Sequence, residues 1–500
     1  MSDPSPTAIG HFIDGKVSPG SSGRTGPVFN PATGAQTSVV DLASADEVDT
    51  AVASATAALP EWRSSPLARR TDIFFRFRAL LDSHRDDLAR LITAEHGKVH
   101  SDALGEVARG IENAEFACGI PGALKGDFTE QAATGVDVYS IRQPVGVMAG
   151  ITPFNFPVMV PLWMLATSIA CGNTFILKPS EKDPSPSLFI AELLDDAGLP
   201  PGVFSVIQGD RVAVDRLVEH PDVKALSFVG STPVARSVYE RGTAAGKRVQ
   251  ALGGAKNHMV VLPDADVGAA ADAAVSAAYG SAGERCMAIS VVVAVGDVAE
   301  PLVAAIAERI PDIVVAPGDQ PDAEMGPLIT AEHRDNVAAH IGAAAAAGAT
   351  LVVDGRDLRV DGDGYFLGAT LVDHVTADMD IYQREVFGPV LAVVRAGTYD
   401  EAVRLVNEHA FGNGTAIFTR DGGAARRYQF DVEVGMVGVN VPIPVPVAYY
   451  SFGGWKASLF GDTHIYGPDG IRFCTRAKVI TSRWPDPSTS SVDLGFPQNR

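Results

Sequence analysis

The chain is poor in cysteine and lacks the common nucleotide-binding signatures. Its four cysteines are widely spaced and form no CxxC pair, which argues against a disulfide framework and predicts a reduced, cytoplasmic protein. Residues 1–15 have neither the basic nor the apolar region of a secretory signal. Neither GxGxxG nor the Walker A pattern occurs, so a bound nucleotide needs another arrangement. The cysteines are Cys118, Cys171, Cys286 and Cys474.

Positive charge is scarce as well. There are 40 Lys and Arg residues against 60 Asp and Glu residues, which gives a net charge of −20. We therefore expect neither nucleic acid nor an anionic membrane surface as a partner. An anionic substrate would need arginines placed locally to hold it.

Long apolar runs and metal-ligand clusters are also missing. Residues 143–177 carry no charge, but prolines and glycines break them into pieces shorter than the roughly 20 residues of a membrane-spanning helix. His96 and His100 have the spacing of metal ligands on a helix, but no third ligand is evident. The sequence thus predicts no membrane segment and no metal.

Strand and helix patterns alternate from residue 144 to residue 244, and a second alternating unit begins at His258. Such alternation predicts doubly wound, mostly parallel sheets, which bind ligands at the carboxyl ends of their strands. The length of 500 residues calls for two or three domains. Residues 127–142 alternate around Gly135 as an extended hairpin arm, which favours pairing with another subunit.

The segment Gly283–Ala288 is where we place the chemistry. It lies between a predicted helix, Val267–Tyr279, and a predicted strand, Ile289–Val295. A cysteine at such a junction can be presented without core packing, and we expect Arg285 to lower the pKa of the Cys286 thiol. The alternative is a small buried hydrophobic residue, the commoner situation of a free cysteine.

Two loops after predicted strands have ligand-binding features. One carries Lys178 and Glu181, and the other carries Gly230, Ser231 and Thr232 ahead of a helix. Free N–H groups at that helix start would suit a phosphate. The alternatives are a surface Lys–Glu pair in the first loop and an ordinary helix N-cap in the second.

Six short segments resemble the aldehyde dehydrogenase superfamily in order and spacing over residues 8–484. Each segment alone is weak, but six in register are very specific. The resemblance implies an α/β, aldehyde dehydrogenase-like fold with two doubly wound open-sheet domains, one NAD-binding and one catalytic, plus a β-hairpin oligomerisation arm. It also implies a homotetramer, a dimer of dimers. The segments are TPFNFP at 152–157, KPSE at 178–181, FVGST at 228–232, LGG at 252–254, GERC at 283–286 and EVFGP at 385–389.

The same resemblance implies a division of the chain into six parts. The NAD-binding domain is expected from 1–126, 144–252 and 446–476, the catalytic domain from 253–445, the oligomerisation hairpin from 127–143, and the oligomerisation strand and tail from 477–500.

Residue roles follow from the resemblance in the same way. Cys286 would attack an aldehyde as thiolate, while the side chain of Asn155 and the Cys286 backbone N–H hold the oxyanion. Glu181 would repel a 2′-phosphate, so NAD is preferred to NADP. For Phe387 the alternative is a plain core residue. The residues implied to bind NAD are Thr152, Phe154, Lys178, Glu181, Gly230, Ser231, Glu385 and Phe387.

One position departs from the superfamily pattern. Many hydrolytic members have a glutamate before the Leu-Gly-Gly turn, as base for the water that cleaves the thioester, but here the residue is Ala251. General base catalysis contributes about 10²–10⁴-fold, so hydrolysis should be slower by roughly 3–5 kcal/mol of barrier. A thioester that waits needs a better nucleophile than water, and a thiol is the obvious one.

Three segments narrow the resemblance to the coenzyme A-acylating methylmalonate-semialdehyde (malonate-semialdehyde) dehydrogenases: AKNH at 255–258, GERCMA at 283–288 and YGPDGIRF at 466–473. In that family Arg109 and Arg285 would flank the substrate carboxylate, which guanidinium groups bind bidentately. The carboxylate is then lost as carbon dioxide, and coenzyme A, the co-substrate, takes the acyl group as propionyl-CoA or acetyl-CoA. The alternative for Arg109 is an ion pair on its helix with Glu106 or Glu112.

Two other functions stay open at this point. One is a hydrolytic NAD-dependent aldehyde dehydrogenase that acts on another short semialdehyde with a different base. The other is a non-catalytic binding protein on this fold, which the joint presence of Cys286, Asn155 and Glu385 disfavours. The sequence indicates neither where coenzyme A binds nor which of the two semialdehydes is preferred.

Overall fold

The computed structural model of the chain describes residues 6–489, 492, 494 and 495. Residues 1–5 of the predicted first domain and residues 490, 491, 493 and 496–500 of the predicted tail lie outside the described ones. Within these ranges, no helix is both long enough and apolar enough to cross a bilayer.

The N-terminal segment forms short strands and then a layer of helices. The first long helix begins at a capping box, in which the Ser44 side chain accepts from the Glu47 N–H and the Glu47 side chain accepts from the Ser44 N–H. The bounds are β1 Thr7–Ile9, β2 His11–Ile13, β3 Lys16–Ser18, β4 Thr25–Asn30, β5 Ala35–Asp41, α1 Ala45–Ser64, α2 Leu67–Ser83, α3 Arg85–His96, α4 His100–Cys118 and α5 Ile120–Ala123.

A projecting hairpin follows, with its turn at the predicted glycine, Gly135. Its strands are β6 Phe128–Ala133 and β7 Val136–Pro144. The hairpin pairs with a strand from the far end of the chain, β23, which is described below.

The next segment supplies most of the first large sheet. Its strands are apolar and buried along their length, as expected of parallel strands covered by helices on both faces. The bounds are β8 Val147–Ile151, α6 Met159–Ala170, β9 Thr174–Lys178, α7 Ser185–Asp196, β10 Phe204–Val206, α8 Arg211–Glu219, β11 Val223–Val229, α9 Thr232–Ala244 and β12 Arg248–Leu252.

The second large sheet comes from the following segment. The bounds are β13 Asn257–Val261, α10 Val267–Tyr279, β14 Ile289–Val295, α11 Ala299–Arg309, α12 Ala331–Ala346, β15 Thr350–Val353, β16 Thr370–Asp373, α13 Asp380–Gln383, β17 Val390–Ala396, α14 Tyr399–Glu408, β18 Phe411–Gly412, β19 Gly414–Phe418, α15 Gly422–Asp431 and β20 Met436–Val439.

The last segment returns to the first sheet and then to the arm. Its elements are β21 Trp455–Lys456, β22 Leu459–Phe460, α16 Gly467–Cys474 and β23 Thr475–Arg483. Strand β22 pairs with β12, and β23 runs antiparallel to β7 from Thr475 opposite Pro144 to Arg483 opposite Val136.

The order of strands in the two sheets explains where a ligand can bind. The first sheet has the order β22-β12-β11-β8-β9-β10-β2-β3, and the second has the order β15-β16-β17-β14-β13-β19-β20. In the first sheet the chain moves outward from β8 to β9 and later, on the other side, from β11 to β12. The switch point therefore lies between β8 and β11, where open α/β sheets bind ligands.

Three large apolar clusters fill the space between the sheets and their helices. One surrounds the second sheet, and the other two lie on opposite faces of the first. The prediction of two doubly wound sheets with a β-hairpin arm is confirmed. The exact domain boundaries stay a prediction.

Candidate active site

The site lies between the carboxyl end of the first sheet and the amino end of the second. Only residues 253–256 separate the end of β12 from the start of β13. Strands β12, β11, β8 and β9 are neighbours in the first sheet. Gly253 follows β12, Gly230 follows β11, Thr152 follows β8, and Lys178 is the last residue of β9. The loops identified from the sequence thus meet at one edge, as the parallel order requires.

The start of α9 is left without a side-chain cap. Exposed Ser231 occupies the N-cap position, but its side chain makes no capping bond. The hydroxyl of Thr232 accepts instead from the N–H of Gly254 at 2.8 Å. The alternative of an ordinary N-cap is therefore wrong, and the N–H groups at this helix start, next to half-buried Gly230, remain for an anionic group.

A polar patch continues along the same edge. Lys178 is 5% exposed, and its Nζ lies 3.0 Å from Glu181 Oε2, so this is not a fully exposed surface pair. Burial raises the pKa of Glu181, but the charge of Lys178 and neighbouring hydrogen bonds more than offset this and leave it lowered. The hydroxyl of buried Thr152 has no hydrogen-bond partner among the described residues. An unpartnered buried hydroxyl beside a Lys–Glu pair fits the polar groups of a dinucleotide.

Glu385 lies where the two sheets meet. Its Oε1 accepts from the N–H of Ala255 at 2.9 Å, and burial raises its pKa to about 7. A side chain on Gly254 would come within 2.4 Å of Glu385 Oε2, so this close approach requires glycine. Lys256 donates to the carbonyl groups of residues 381 and 384 at 2.7 and 2.9 Å and thereby holds the chain that leads to Glu385.

Two phenylalanines close this side of the site. The rings of Phe154 and Phe387 meet edge to face at 5.9 Å, and Phe154 also stacks on His96 at 5.9 Å. Phe387 has φ of 57°, and its carbonyl group accepts from His333 Nε2 at 2.7 Å. Phe387 is only half-buried and lines a cavity that also contains Cys286, so it is not a plain core residue.

Cys286 follows an unusual turn. After α10 the chain forms a 3-10 segment, Gly280–Gly283, in which Ser281 and Ala282 have φ of 54° and 51°. Positive φ costs energy for residues with a side chain, and it is retained where the surroundings impose it. No local pattern in the sequence indicated it.

The electrostatics of Cys286 differ from the expectation. The pKa of its thiol is raised to about 12, first by burial and then by the Glu385 carboxylate. Arg285 acts in the opposite direction, but less strongly. Arg285 thus lowers the pKa of the thiol, as expected, but burial and the Glu385 carboxylate outweigh it and leave the pKa raised.

Asn155 is held beside Cys286 by a contact to its loop. The residue is buried, and its Nδ2 donates to the carbonyl oxygen of Glu284 at 3.0 Å. The carbonyl oxygen of Asn155 accepts from Lys98 Nζ at 2.7 Å. Lys98 is itself paired at 2.7 Å with Glu106, and both side chains are fully buried. Among the described residues, the bond to Glu284 is the hydrogen bond that the Asn155 side chain makes, and Nδ2 carries a second hydrogen.

Lys98 and Glu106 are site residues that sequence reasoning missed. Glu106 Oε1 also accepts from the N–H groups of Val158 and Met159 at 2.8 and 3.1 Å, so the pair holds the backbone from Asn155 to Met159. Removing one partner of a buried ion pair is costly because it leaves an unpaired buried charge. The two residues are eight apart in sequence, and no local signal links them to residue 155.

A cavity of about 300 Å³ adjoins Cys286. Arg109 and Arg285 both line it, so the structure brings the two predicted arginines and the cysteine together. The remaining lining is mostly apolar, with Phe156, Met159, Trp163, Met287, Ile443, Val445 and Phe452 among the lining residues.

Each arginine is oriented by an acidic neighbour. Arg109 Nη1 lies 2.8 Å from Glu112 Oε2, and its Nη2 donates to the carbonyl oxygen of Pro446 at 2.7 Å. The helix ion pair considered as an alternative for Arg109 is thus present with Glu112, and it coexists with a position on the cavity wall. Arg285 Nη2 donates to Asp102 Oδ1 at 2.6 Å.

Ala251 has no catalytic group to offer. It is fully buried on β12 and packs in the core of the first sheet. Among the described residues, the carboxylates that line the cavity are Asp102 and Glu106, and each is paired with a cation at 2.6 and 2.7 Å. Both carboxylates are thus engaged in ion pairs.

Two open α/β sheets thus place Cys286, the side-chain amide of Asn155 and an edge suited to a dinucleotide at their junction, as in a dehydrogenase. The chain belongs to the aldehyde dehydrogenase family, whose model matches residues 18–480. The resemblance seen in the sequence is therefore confirmed. The individual residue roles stay predictions.

Similar proteins cover almost the whole chain. It is 54% identical over 491 residues to a malonate-semialdehyde dehydrogenase from Pseudomonas aeruginosa, with 97% of this chain and 99% of that protein covered. A crystal structure of methylmalonate-semialdehyde dehydrogenase from Oceanimonas doudoroffii is 53% identical, covers 96% and 99% of the two chains, and superposes with a TM-score of 0.95. A structure from Sinorhizobium meliloti, complexed with NAD, is 52% identical with a TM-score of 0.96 and covers 98% and 100%.

Proposed function

We propose that this enzyme oxidises methylmalonate or malonate semialdehyde with NAD, releases carbon dioxide and transfers the acyl group to coenzyme A. The observation that carries the proposal is the cavity beside Cys286, where Arg109 and Arg285 face the same space of about 300 Å³. Two guanidinium groups in a partly desolvated cavity favour an aldehyde that carries a carboxylate over a neutral one. The named relatives support the same substrate class.

The residues for NAD lie at the carboxyl edge of the first sheet and at the adjoining edge of the second. Lys178 and Glu181 would hold the adenosine ribose, the start of α9 with Gly230 and Ser231 would face the pyrophosphate, and Glu385 would hold the nicotinamide ribose. The neighbouring wall is formed by Thr152, Phe154 and Phe387. The bound NAD supplies the acceptor for the hydride. The Glu181 carboxylate supports NAD over NADP by like-charge repulsion.

The chemistry of the chain begins at sulfur. Cys286 must first lose its proton to solvent, which the raised pKa of about 12 makes unfavourable. Its thiolate attacks the aldehyde carbon, and the Asn155 side chain with the Cys286 N–H stabilises the resulting oxyanion. One such donor contributes about 2.7–4 kcal/mol in the transition state. Loss of hydride from this carbon leaves a thioester on Cys286.

The thioester then prepares the loss of carbon dioxide. When the bond to the β-carboxylate breaks, its electron pair passes to the carbon next to the thioester carbonyl and gives an enolate, which takes up a proton. The Asn155 side chain and the Cys286 N–H would stabilise that enolate oxygen. The thiolate of coenzyme A finally attacks the acyl carbon and releases Cys286. Because Ala251 cannot act as a base, no group at this position activates water to hydrolyse the thioester. The acyl group therefore stays on Cys286 until the thiol arrives.

We also propose that the enzyme is a cytoplasmic homotetramer with the six-part domain division given above. The arm formed by β6, β7 and β23 supports this assembly. It exposes 65% of Phe128 and 68% of Val479 to solvent in the single chain, which favours coverage by another subunit.

Product identity tests the proposed reaction. With methylmalonate semialdehyde, NAD and coenzyme A, we expect propionyl-CoA by mass spectrometry, and with malonate semialdehyde we expect acetyl-CoA. A Cys286→Ala variant is the control and should form neither product. Free propionate formed equally fast without coenzyme A would instead identify a hydrolytic enzyme. Failure to form NADH with short aldehydes, together with an unreactive Cys286, would identify a binding protein.

A further inference from the structure

The segment around Cys286 is held by an asparagine from the neighbouring strand. Asn257 is the first residue of β13, which lies between β14 and β19 in the second sheet. Its Nδ2 donates to the carbonyl oxygens of Cys286 and Ala288 at 2.8 and 2.9 Å. Its Oδ1 accepts from the N–H of Gly414 at 3.0 Å. The amide is 2% exposed, so it ties together the amino ends of three adjacent strands.

A second buried amide reaches the same carbonyl group. Asn413 directly precedes β19 and is 6% exposed. Its Nδ2 donates to the Cys286 carbonyl oxygen at 3.2 Å and contacts Met287 Sδ at 3.0 Å. The Cys286 carbonyl group therefore accepts from two side-chain amides, although most backbone carbonyl groups are satisfied by the backbone.

Because the peptide bond is planar, hydrogen bonds to the Cys286 carbonyl oxygen also fix the N–H group on the other side of that bond. In a trans peptide the C=O and the N–H point in opposite directions. Two donors on the Cys286 carbonyl oxygen therefore set the direction of the Met287 N–H, the next backbone donor along the chain. A hydrogen bond from this N–H acts to lower the pKa of the Cys286 thiol, which burial raises. Donors on a carbonyl also polarise the peptide and strengthen the hydrogen bond made by its N–H.

We propose that Asn257 and Asn413 are positioning residues for the nucleophile, which hold the Cys286–Met287 peptide so that its N–H stabilises the Cys286 thiolate. They touch neither substrate nor cofactor in this role and act through Cys286. The inference rests on the proposed function of Cys286 as nucleophile. The segment at 255–258 was identified in the sequence, but no role was assigned to its asparagine. The proposal assigns one.

The test is the pH dependence of Cys286 alkylation in the full-length enzyme. Asn257→Ala and Asn413→Ala are treated with iodoacetamide between pH 7 and pH 10, and modification of the Cys286 peptide is followed by mass spectrometry. We expect the rate at a given pH to fall about tenfold in Asn257→Ala and less in Asn413→Ala. The variants release the peptide whose N–H would donate to the thiolate, and one hydrogen bond to a charged group corresponds to about one decade or more. kcat should fall in parallel, with KM for the aldehyde changed less than about twofold.

Asn173→Ala is the matched control. Asn173 is also fully buried and makes three hydrogen bonds, with Gly146, Ser168 and Cys474. It lies outside the Cys286 cavity. We expect it to lower the melting temperature without changing the alkylation profile.

Four outcomes decide the matter. Slower alkylation and lower kcat in the Asn257 and Asn413 variants, but not in Asn173→Ala, support the proposal. Unchanged alkylation profiles in both variants, with only a lower melting temperature, would overturn it and leave the two amides a structural role. If Asn257→Ala does not fold, the Asn413→Ala profile decides alone. Full activity of Cys286→Ala would instead refute the role of Cys286 as nucleophile. The failure of the proposed function can therefore be told apart from the failure of the positioning role.

Discussion

Replacing Arg285 by leucine tests the substrate class most closely. The change removes one of the two guanidinium groups from the cavity beside Cys286 and leaves a shorter apolar side chain in its place. A hydrogen bond to a charged group contributes about 1.5–3 kcal/mol. Arg285 already donates to Asp102 and is 20% exposed, so solvent weakens the interaction and we expect the lower part of that range. KM for a semialdehyde acid should therefore rise about 10- to 30-fold.

The ion pair between Arg285 and Asp102 also affects the size of the increase in KM, and a double variant measures this effect. Arg285→Leu leaves the Asp102 carboxylate unpaired on the cavity wall, where it repels an anionic substrate. The double variant Asp102→Asn/Arg285→Leu removes both charges. We expect its KM for the acid to lie between the wild type and the single variant, since the added repulsion is gone. KM for propanal, which has no carboxylate, should stay within about twofold in all three enzymes.

Arg309→Leu is the matched control for loss of one arginine. Arg309 lies at 2.5 Å from Asp272 and lines an adjacent cavity together with Arg285, but it does not line the cavity of Cys286. Its replacement should leave both KM values unchanged. Initial rates of NADH formation against the two aldehydes provide the measurement. Equal increases in KM for the acid and for propanal in Arg285→Leu would refute the carboxylate role.

Three other predictions address different parts of the account. Ala251→Glu should increase the coenzyme A-independent release of free acid, by up to about 10²-fold, measured by chromatography of the products; no change would mean that another base already acts. Burial raises the pKa of Glu284 to about 8. Between about pH 4.5 and pH 8 the folded chain therefore keeps a proton that the unfolded chain has lost, so the free energy of unfolding falls as the pH rises. Glu284→Gln should therefore show a smaller drop in melting temperature between pH 5 and pH 8 than the wild type, and an identical drop would contradict this reasoning. Light scattering should give about four times the chain mass of 52.3 kDa, and a species of one chain mass would refute the tetramer.

Local patterns in the sequence were sufficient for much of the fold. The helix Val267–Tyr279 and the strand Ile289–Val295 have the bounds predicted from the alanine-rich and β-branched patterns. The ligand-binding edge also followed, because alternating strands and helices place the carboxyl ends of parallel strands together. Between the two elements, however, Ser281 and Ala282 adopt positive φ. Serine and alanine, unlike glycine or asparagine, give no local signal of that conformation.

The site depended more on contacts between distant residues. Arg285 is next to Cys286 in sequence, so a lowered pKa was the natural expectation, but burial and Glu385 have the larger effect. Neither can be read from a hexapeptide. Lys98 and Glu106 support the Asn155 loop through a buried pair, and only tertiary packing brings them to it. The motif at 178–181, by contrast, was found because its residues are neighbours in both sequence and space.

The central claim is that the acyl group on Cys286 waits for a thiol. The most direct measurement is NADH formation from methylmalonate semialdehyde with and without coenzyme A, combined with the intact mass of the enzyme. Without coenzyme A, we predict a burst of about one NADH per active subunit, then a much slower rate, and a propionyl group on Cys286. Adding coenzyme A should restore steady turnover and remove that group. Equal steady rates in both cases, with no acyl group on Cys286, would contradict the account.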